Sequence, residues 1–296
     1  MRSTALAIDI GGTKMAAGIV TDKGELVARA VVPTRSDVDA DGLFAELVSL
    51  VAEVRAGDEV VCGVGCGGPM AAGGATVSPL AIHAWREFPL RDRLRDALRG
   101  SGHQHVFVDN DAKALALGEG WVGAARGVRD YLGMVVSTGV GGGIVLDGRL
   151  LDGAAGNAGH IGHVIVEPNG RECGCGARGC LEAEASGTAI AAITGAPPAD
   201  ADDAIRERTG TLVGRAIASV ANLLDLRLAV VAGSVALGFG EPFFAAAQAE
   251  VDRSCRLAFS AGTRIVPAGL GDAAPLIGAA AVGFRGLRSD HANGAG

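Results

Sequence analysis

Residues 5–20 read ALAIDIGGTKMAAGIV: an apolar run, a polar turn at Gly11-Gly12-Thr13, and a second apolar run. A turn at Asp22-Lys-Gly-Glu25 then leads into a third apolar run, Leu26 to Val32. Short apolar runs joined by tight polar turns are typical of antiparallel strands. The start of the chain therefore predicts three strands in one sheet, with a glycine turn between the first two.

The same layout returns over residues 131–151, where apolar runs alternate with a turn at Thr138 to Gly143 and another at Asp147-Gly148. This repetition predicts a duplicated α/β unit. We expect a small domain over residues 1–118, with a helix over 275–286 packing back on it, and a large domain over 119–274. Residues 289–296 are small and polar, which predicts a disordered tail.

The composition is typical of a globular protein. It has 296 residues, of which 49% are hydrophobic and 20% charged, enough for one large or two ordinary domains with real cores. The formal net charge of −7 is spread without long runs, so no nucleic-acid or membrane partner is expected. A basic leader followed by an apolar segment is missing, as is an apolar stretch of membrane length, and the sequence predicts a cytoplasmic protein.

The stretch from Asn157 to Glu182 carries four metal-ligating side chains, His163, Cys173, Cys175 and Cys180. Three thiolates and one imidazole complete a tetrahedral zinc shell, and a closed shell leaves no position for substrate. The predicted zinc is therefore structural. The alternative is three unrelated buried cysteines and a core histidine, but C-x-C-x4-C with a histidine upstream rarely arises by chance. The other cysteines resemble small hydrophobic core residues: Cys62, Cys66 and Cys255.

The two glycine turns, at Gly11 to Thr13 and at Thr138 to Gly142, each follow a predicted strand. Glycine lets backbone N–H groups point at an anion, and the threonine hydroxyls add donors. One such turn is most often an ordinary hairpin, but two in corresponding positions of a repeat could grip a polyphosphate. No lysine follows a glycine, which excludes a P-loop, and a Rossmann turn would lead into a helix.

Asp111 follows a predicted strand and precedes a helix. It could cap that helix, and it could also accept a proton from a substrate hydroxyl while Asn110 binds a neighbouring one. Asp9 could hold the metal ion that accompanies a nucleotide. Gly233-Ser234, at the end of a late strand, would suit an adenosine.

These segments together resemble the ROK family of bacterial sugar kinases over roughly residues 4–286. The resemblance implies an actin-like, hexokinase-type α/β fold of two domains around a cleft, ATP- and magnesium-dependent phosphorylation of a hexose at its 6-hydroxyl, and a homodimer. The matching stretches are Asp9 to Lys14, Asn110 to Ala112, Ser137 to Gly143, Ala158 to His163 and Cys173 to Glu182.

The resemblance also implies roles for single residues. Asp111 would be the general base, and His163 would bind zinc through one ring nitrogen and the sugar through the other. The sugar contacts would be Gly68, Asn110, Asp111, His160, His163 and Glu182. The nucleotide contacts would be Asp9, Gly11, Gly12, Thr13, Lys14, Thr138, Gly139, Gly233 and Ser234.

The chain departs from the family pattern at two positions. His160 stands where many members carry glutamate, although N-acetylmannosamine kinases of the family resemble this chain in having histidine there. Ala81 stands where members often carry a sugar-binding asparagine. Both changes remove a sugar contact, so the sequence does not identify the sugar. It also does not decide between ATP and polyphosphate as the phosphoryl donor.

Two other functions compete with the kinase. A catalytically silent sugar-binding protein is one alternative, and retention of Asp111 and of both glycine turns argues against it. A repressor of the same family would carry an N-terminal DNA-binding domain, for which the first turn, beginning at Asp9, leaves no room.

Overall fold

The structure is a computed structural model that describes residues 3–99 and 105–293. The chain divides into two compact units. Unit 1 comprises residues 1–122, 152–158 and 270–296, and unit 2 comprises residues 123–151 and 159–269. None of the helices in the described ranges is long and apolar enough to cross a membrane.

Unit 1 is built on a five-stranded sheet in the order β3-β2-β1-β4-β5. Strands β1, β2 and β3 are antiparallel, whereas β4 and β5 continue the sheet parallel to β1. The elements are β1 (Thr4–Ile10), β2 (Lys14–Thr21), β3 (Leu26–Pro33), α1 (Ala40–Val54), β4 (Val61–Cys66), α2 (Leu90–Ala97), β5 (Val106–Asn110), α3 (Asp111–Val122) and, from the end of the chain, α9 (Ala274–Asn293).

The carboxyl ends of the parallel strands meet at one edge of this sheet. Ile10 of β1 pairs with Cys66 of β4, and Cys66 pairs with Asn110 of β5. Asp9 and Asn110, which are far apart in sequence, therefore lie at the same edge. This register brings together the polar residues that follow β1, β4 and β5.

Unit 2 repeats this topology in the order β10-β9-β6-β7-β8. Strands β6, β7 and β8 are antiparallel, and β9 and β10 are parallel to β6. The predicted duplicated α/β fold is thus confirmed. The elements are β6 (Tyr131–Val136), β7 (Val140–Leu146), β8 (Arg149–Leu150), α4 (Leu181–Ala185), α5 (Gly187–Thr194), α6 (Asp203–Leu224), β9 (Leu228–Ala232), α7 (Ser234–Phe239), α8 (Glu241–Ser254) and β10 (Arg264–Pro267).

Helix α9 covers one face of the sheet of unit 1 and packs against β1, β4, β5 and α3. Glycine makes this close approach possible. A Cβ atom on Gly63 of β4 would lie 1.9 Å from the Ala279 carbonyl oxygen, and one on Gly278 would lie 2.5 Å from that of Ala114. A larger residue at Gly63 would push α9 off the sheet, and one at Gly278 would push it off α3.

The unit boundaries differ from the predicted ones. Helix α3 continues to Val122, past the predicted boundary at residue 118. Residues 152–158 belong to unit 1, because the buried Lys113 ammonium of α3 donates to the Gly156 carbonyl oxygen (2.9 Å) and to Asp152 Oδ1 (3.2 Å). Helix α9 continues to Asn293, with Ser289 Oγ donating to the Arg285 carbonyl oxygen, and the disordered tail over 289–296 stays a prediction. Residues 294–296 lie outside the described residues.

The second glycine turn is shorter than predicted. Strand β7 begins at Val140, so the segment from Gly141 to Gly143 pairs with β6 instead of forming a turn. A Cβ atom on Gly142 would lie 3.2 Å from the Gly159 carbonyl oxygen and 3.0 Å from Ile161 Cγ2. These glycines therefore allow the loop before His163 to pack on the strand.

Candidate active site

The junction between β5 and α3 places Asn110 and Asp111 at the carboxyl edge of the first sheet. Asn110 Oδ1 accepts a hydrogen bond from the Ala112 backbone N–H (3.1 Å), the pattern of an N-cap residue, and Asp111 Oδ1 accepts from the same group (2.8 Å). The predicted cap at Asp111 is therefore corrected: the strand ends at Asn110, the helix begins directly at Asp111, and the cap falls on Asn110. A Cβ atom on Gly68 would lie 3.5 Å from Asn110 Nδ2, which places Gly68 beside this junction.

Asp9 lies close to the same junction. A Cβ atom on Gly65 would lie 3.6 Å from Asp9 Oδ1 and 3.6 Å from the Asp111 Cα atom, so the two acidic residues flank this glycine. Burial, followed by the negative charge of Asp111, raises the pKa of Asp9 from 3.8 to about 7, against the opposing charges of Lys14 and Arg29. The ionised form of Asp9 is therefore disfavoured in the protein alone, and a bound cation would favour it.

The first glycine turn is closed by its own hydrogen bonds. The Gly11 N–H donates to the Lys14 carbonyl oxygen (3.0 Å), and the Thr34 hydroxyl donates to the Gly11 carbonyl oxygen (2.7 Å). Gly12, Thr13 and Lys14 are exposed. A Cβ atom on Gly12 would lie 2.3 Å from the Ala81 Cβ atom, so Ala81 lies against this turn and a side chain at position 12 would collide with it.

The four predicted zinc ligands converge in unit 2. The ligand atoms of His163, Cys173, Cys175 and Cys180 all lie within 4.8 Å of one another. The His163 Nδ1 to Cys173 Sγ distance and the Cys175 Sγ to Cys180 Sγ distance are both 3.7 Å. A tetrahedron with Zn–S bonds of about 2.3 Å has edges of about 3.8 Å, so the residues present fit zinc. Burial raises the pKa of the Cys180 thiol to about 12, and a bound cation would offset the cost of its ionisation.

His160 and Glu182 flank this cluster. His160 immediately precedes a short 3-10 turn, Ile161–His163, and the His160 and His163 rings are nearly parallel with centroids 6.0 Å apart. Because Nδ1 of His163 faces Cys173, its Nε2 is left for a second partner. Glu182 lies in the first turn of α4, two residues after the ligand Cys180, and its Oε2 accepts a hydrogen bond from the Val140 N–H (2.9 Å).

The second glycine turn, Ser137 to Gly139, borders a pocket in unit 2. The Gly187 N–H donates to the Ser137 carbonyl oxygen (2.7 Å), the Thr188 hydroxyl donates to the Thr138 carbonyl oxygen (3.0 Å), and the Ser137 and Ser234 hydroxyls are 2.9 Å apart. The pocket has a volume of about 540 Å³. Its lining residues are Thr138, Gly187, Thr188, Pro197, Pro198, Ala199, Ser234, Val235, Gly238 and Phe239.

This pocket joins two predicted nucleotide segments, because Thr138 and Ser234 both line it. Gly233, predicted with Ser234, has a φ of 100° and no room for a side chain, since its Cβ atom would lie 2.2 Å from the Val136 carbonyl oxygen. The apolar walls, including Pro198 and Phe239, were not predicted from the sequence. The signal available for them in the sequence was the proline pair Pro197-Pro198, which follows the end of helix α5.

Comparison with known proteins gives concordant matches. Residues 5–284 match the ROK family. A glucokinase of Thermotoga maritima is 31% identical over 94% of this chain and 96% of its own, and an N-acetylmannosamine kinase of Citrobacter koseri is 38% identical over 80% of this chain and 85% of its own. The structure is also similar to the ROK hexokinase of Thermus thermophilus, with 31% identity, coverage of 97% and 99%, and a TM-score of 0.82. A ROK family glucokinase from Streptomyces griseus, solved in complex with glucose and AMPPNP, gives 29% identity, coverage of 96% and 100%, and a TM-score of 0.81.

Proposed function

This chain belongs to the ROK family and is a sugar kinase, and from that premise we propose that it transfers the γ-phosphoryl group of ATP to the 6-hydroxyl of a hexose. The observation that carries the proposal is the β5/α3 junction, where Asn110 supplies the helix cap and Asp111 lies beside Asp9. An aspartate that is not needed as the cap can serve as a base. The proposal includes a homodimer, as the resemblance implies.

In this proposal the Asp111 carboxylate accepts the proton of the 6-hydroxyl as its oxygen attacks the γ-phosphorus and ADP leaves. Phosphoryl transfer depends mainly on position and charge stabilisation, with the base orienting the attacking hydroxyl. Asn110 has an amide N–H₂ group left to donate to a neighbouring hydroxyl, because its oxygen is occupied by the cap. His163 and Glu182 would hold further hydroxyls of the sugar.

The nucleotide would bind through both glycine turns. The pocket beside Ser137 to Gly139 combines apolar walls with three hydroxyls, which suits a flat base and a ribose. The backbone of Gly11 to Lys14 would contact the phosphates. Magnesium bound to the phosphates would neutralise their charge, and Asp9 is the carboxylate we assign to it.

We assign a structural zinc ion to His163, Cys173, Cys175 and Cys180, whose mutual distances support a closed tetrahedral site. When bound, the ion would link the two ends of the loop from His163 to Cys180. Anchored in this way, His163 would present Nε2 to the sugar. Cys180 would fix the start of α4, the helix that carries Glu182.

His160 is the residue to which we assign sugar selection. A glutamate offers acceptors only, whereas a neutral histidine offers one donor and one acceptor. A donor at this position suits an N-acetyl carbonyl oxygen, and a buried polar group left unmatched costs about 1–3 kcal/mol, or about tenfold to a hundredfold in preference. Relatives of both types, a glucokinase and an N-acetylmannosamine kinase, match this chain.

The experiment is a coupled ADP-release assay on glucose, mannose, N-acetylglucosamine and N-acetylmannosamine, followed by kcat/KM in the native protein and in His160→Glu. We expect an N-acetylhexosamine to be preferred and His160→Glu to shift the ratio towards glucose by about tenfold or more. His160→Gln, which keeps one donor and one acceptor, is the matched control and should retain the native ratio. An unchanged ratio in His160→Glu would show that another residue selects the sugar, and no ADP release with any hexose would refute the proposed reaction.

A further inference from the structure

The Glu182 carboxylate contacts the second glycine turn as well as the proposed sugar position. Its Oε2 accepts a hydrogen bond from the backbone N–H of Val140, at 2.9 Å. Val140 directly follows Thr138-Gly139, the segment assigned to the nucleotide. Within residues 3–99 and 105–293, Oε1 of the same carboxylate accepts no hydrogen bond from the protein. One oxygen is therefore engaged by the turn while the other is available to a ligand.

The turn is shaped to admit this carboxylate. A Cβ atom on Gly139 would lie 2.9 Å from Glu182 Oε2, close enough to displace the carboxylate. Glycine at 139 therefore lets Glu182 keep its hydrogen bond to the Val140 N–H. The contact is partly buried, where a charge-assisted hydrogen bond is stronger than one in water.

The next helix, α5, holds the turn at two further points. The Gly187 N–H donates to the Ser137 carbonyl oxygen, and the Thr188 hydroxyl donates to the Thr138 carbonyl oxygen. These two bonds fix carbonyl groups, whereas the Glu182 bond fixes an N–H group. Glu182 is therefore the one acidic side chain within the described ranges that is hydrogen-bonded to the backbone where the turn ends and β7 begins, at Val140.

We propose that Glu182 is a positioning residue for the nucleotide turn and that, through its two oxygens, it couples sugar binding to nucleotide binding. The inference rests on the proposed function, in which the sugar binds at Oε1 and the phosphates bind at the turn. A sugar hydroxyl on Oε1 would hold the carboxylate still, and that restraint would lower the cost of fixing the Thr138-Gly139 segment, which precedes Val140, when the nucleotide binds. Coupling of binding free energies is reciprocal, so the nucleotide must tighten sugar binding by the same factor.

The test compares Glu182→Ala with Glu182→Gln by titration calorimetry, using magnesium and AMPPNP with and without the preferred sugar. The glutamine amide oxygen can still accept from the Val140 N–H, but the alanine cannot. We expect Glu182→Ala to weaken AMPPNP binding about tenfold without sugar, and Glu182→Gln to stay within about twofold of native, while both lose sugar affinity. In the native protein the sugar should tighten AMPPNP binding at least about fivefold.

Glu172→Gln is the matched control, because Glu172 is an exposed glutamate of the neighbouring loop, paired with Arg178. It should leave both affinities unchanged. Native AMPPNP affinity in Glu182→Ala would overturn the inference, as would sugar and AMPPNP affinities that are independent of each other in the native protein. If the native protein binds no AMPPNP, the proposed function fails instead. Should Glu182→Ala not fold, Gly139→Ala tests the same contact, since its Cβ atom would displace the carboxylate.

Discussion

Asp111→Asn separates the proposed chemistry at the β5/α3 junction from the structure of that junction. The substitution removes the carboxylate charge but keeps a side-chain oxygen, which can still accept from the Ala112 N–H as Asp111 Oδ1 does at 2.8 Å. Asn110 independently caps the same helix. The perturbation is therefore chemical, with almost no change in shape.

The two expected magnitudes differ widely. Loss of one carboxylate from the first turn of a helix costs about 0.3–1 kcal/mol in the free energy of unfolding. Relief of its repulsion with Asp9, whose pKa it helps to raise, acts in the opposite direction, so stability should change by less than about 1 kcal/mol. Loss of a general base lowers the rate by about 10²–10⁴-fold, which is about 2.7–5.4 kcal/mol in the activation free energy.

The assays are coupled ADP release and denaturant unfolding on the same preparations. Asp92→Asn is the control, since Asp92 is an exposed aspartate in the first turn of α2 and lies outside the proposed site. We expect Asp111→Asn to keep its unfolding midpoint and sugar affinity while kcat collapses, and Asp92→Asn to keep all three. A kcat within tenfold of native would refute the assignment of the base, and a large loss of stability would show that the side chain is structural.

Two other predictions concern the metal site and Asp9. Purified protein should contain about one zinc per chain, and Cys175→Ser or chelation should lower stability and sugar affinity together. Cys255→Ala, at a buried cysteine outside the cluster, is the control and should keep its metal. Active protein without zinc would refute the site. Because the pKa of Asp9 is raised from 3.8 to about 7, the folded protein binds this proton more tightly than the unfolded chain, and stability falls as pH rises through that window. In magnesium-free buffer about 3 kcal/mol should be lost between pH 5 and pH 8, and Asp9→Asn should remove that part of the pH dependence; an unchanged slope would show that Asp9 titrates normally.

The sequence was informative where local pattern and tertiary structure agree. The alternation of apolar runs and polar turns predicted the strands of both sheets, and their repetition predicted two sheets of the same topology. The cysteine spacing predicted a cluster that the structure assembles within 4.8 Å. In both cases residues close in sequence carry the signal, so no distant contact had to be inferred.

The missed features depend on distant packing. Helix α6 begins at Asp203, with Asp202 as its cap, and runs to Leu224 although it contains two glycines. Gly210 and Gly214 let α8 approach, since their Cβ atoms would lie 2.2 Å and 2.4 Å from carbonyl oxygens of α8. A glycine that ends a helix and one that admits a neighbouring helix look alike until the neighbour is known.

The candidate site was predictable residue by residue but not in its connections. Asn110, Asp111, His163 and Glu182 were identified from motifs, and their roles remain predictions. The bond from the Val140 N–H to Glu182 joins residues 42 positions apart. No spacing rule indicates such a pair, because it exists only once β7 and α4 have packed together.

Helix α9 has a consequence for the order in which the protein is completed during synthesis. It supplies Leu276, Ala279 and Ala280 to a cluster that also contains Ala5 and Val61, so strand β1 leaves the ribosome well before the helix that covers it. Every residue of unit 2 precedes α9, and unit 2 can therefore close while unit 1 still exposes an apolar sheet face. Between the synthesis of β1 and that of α9, this sheet face is where chaperones or self-association would act.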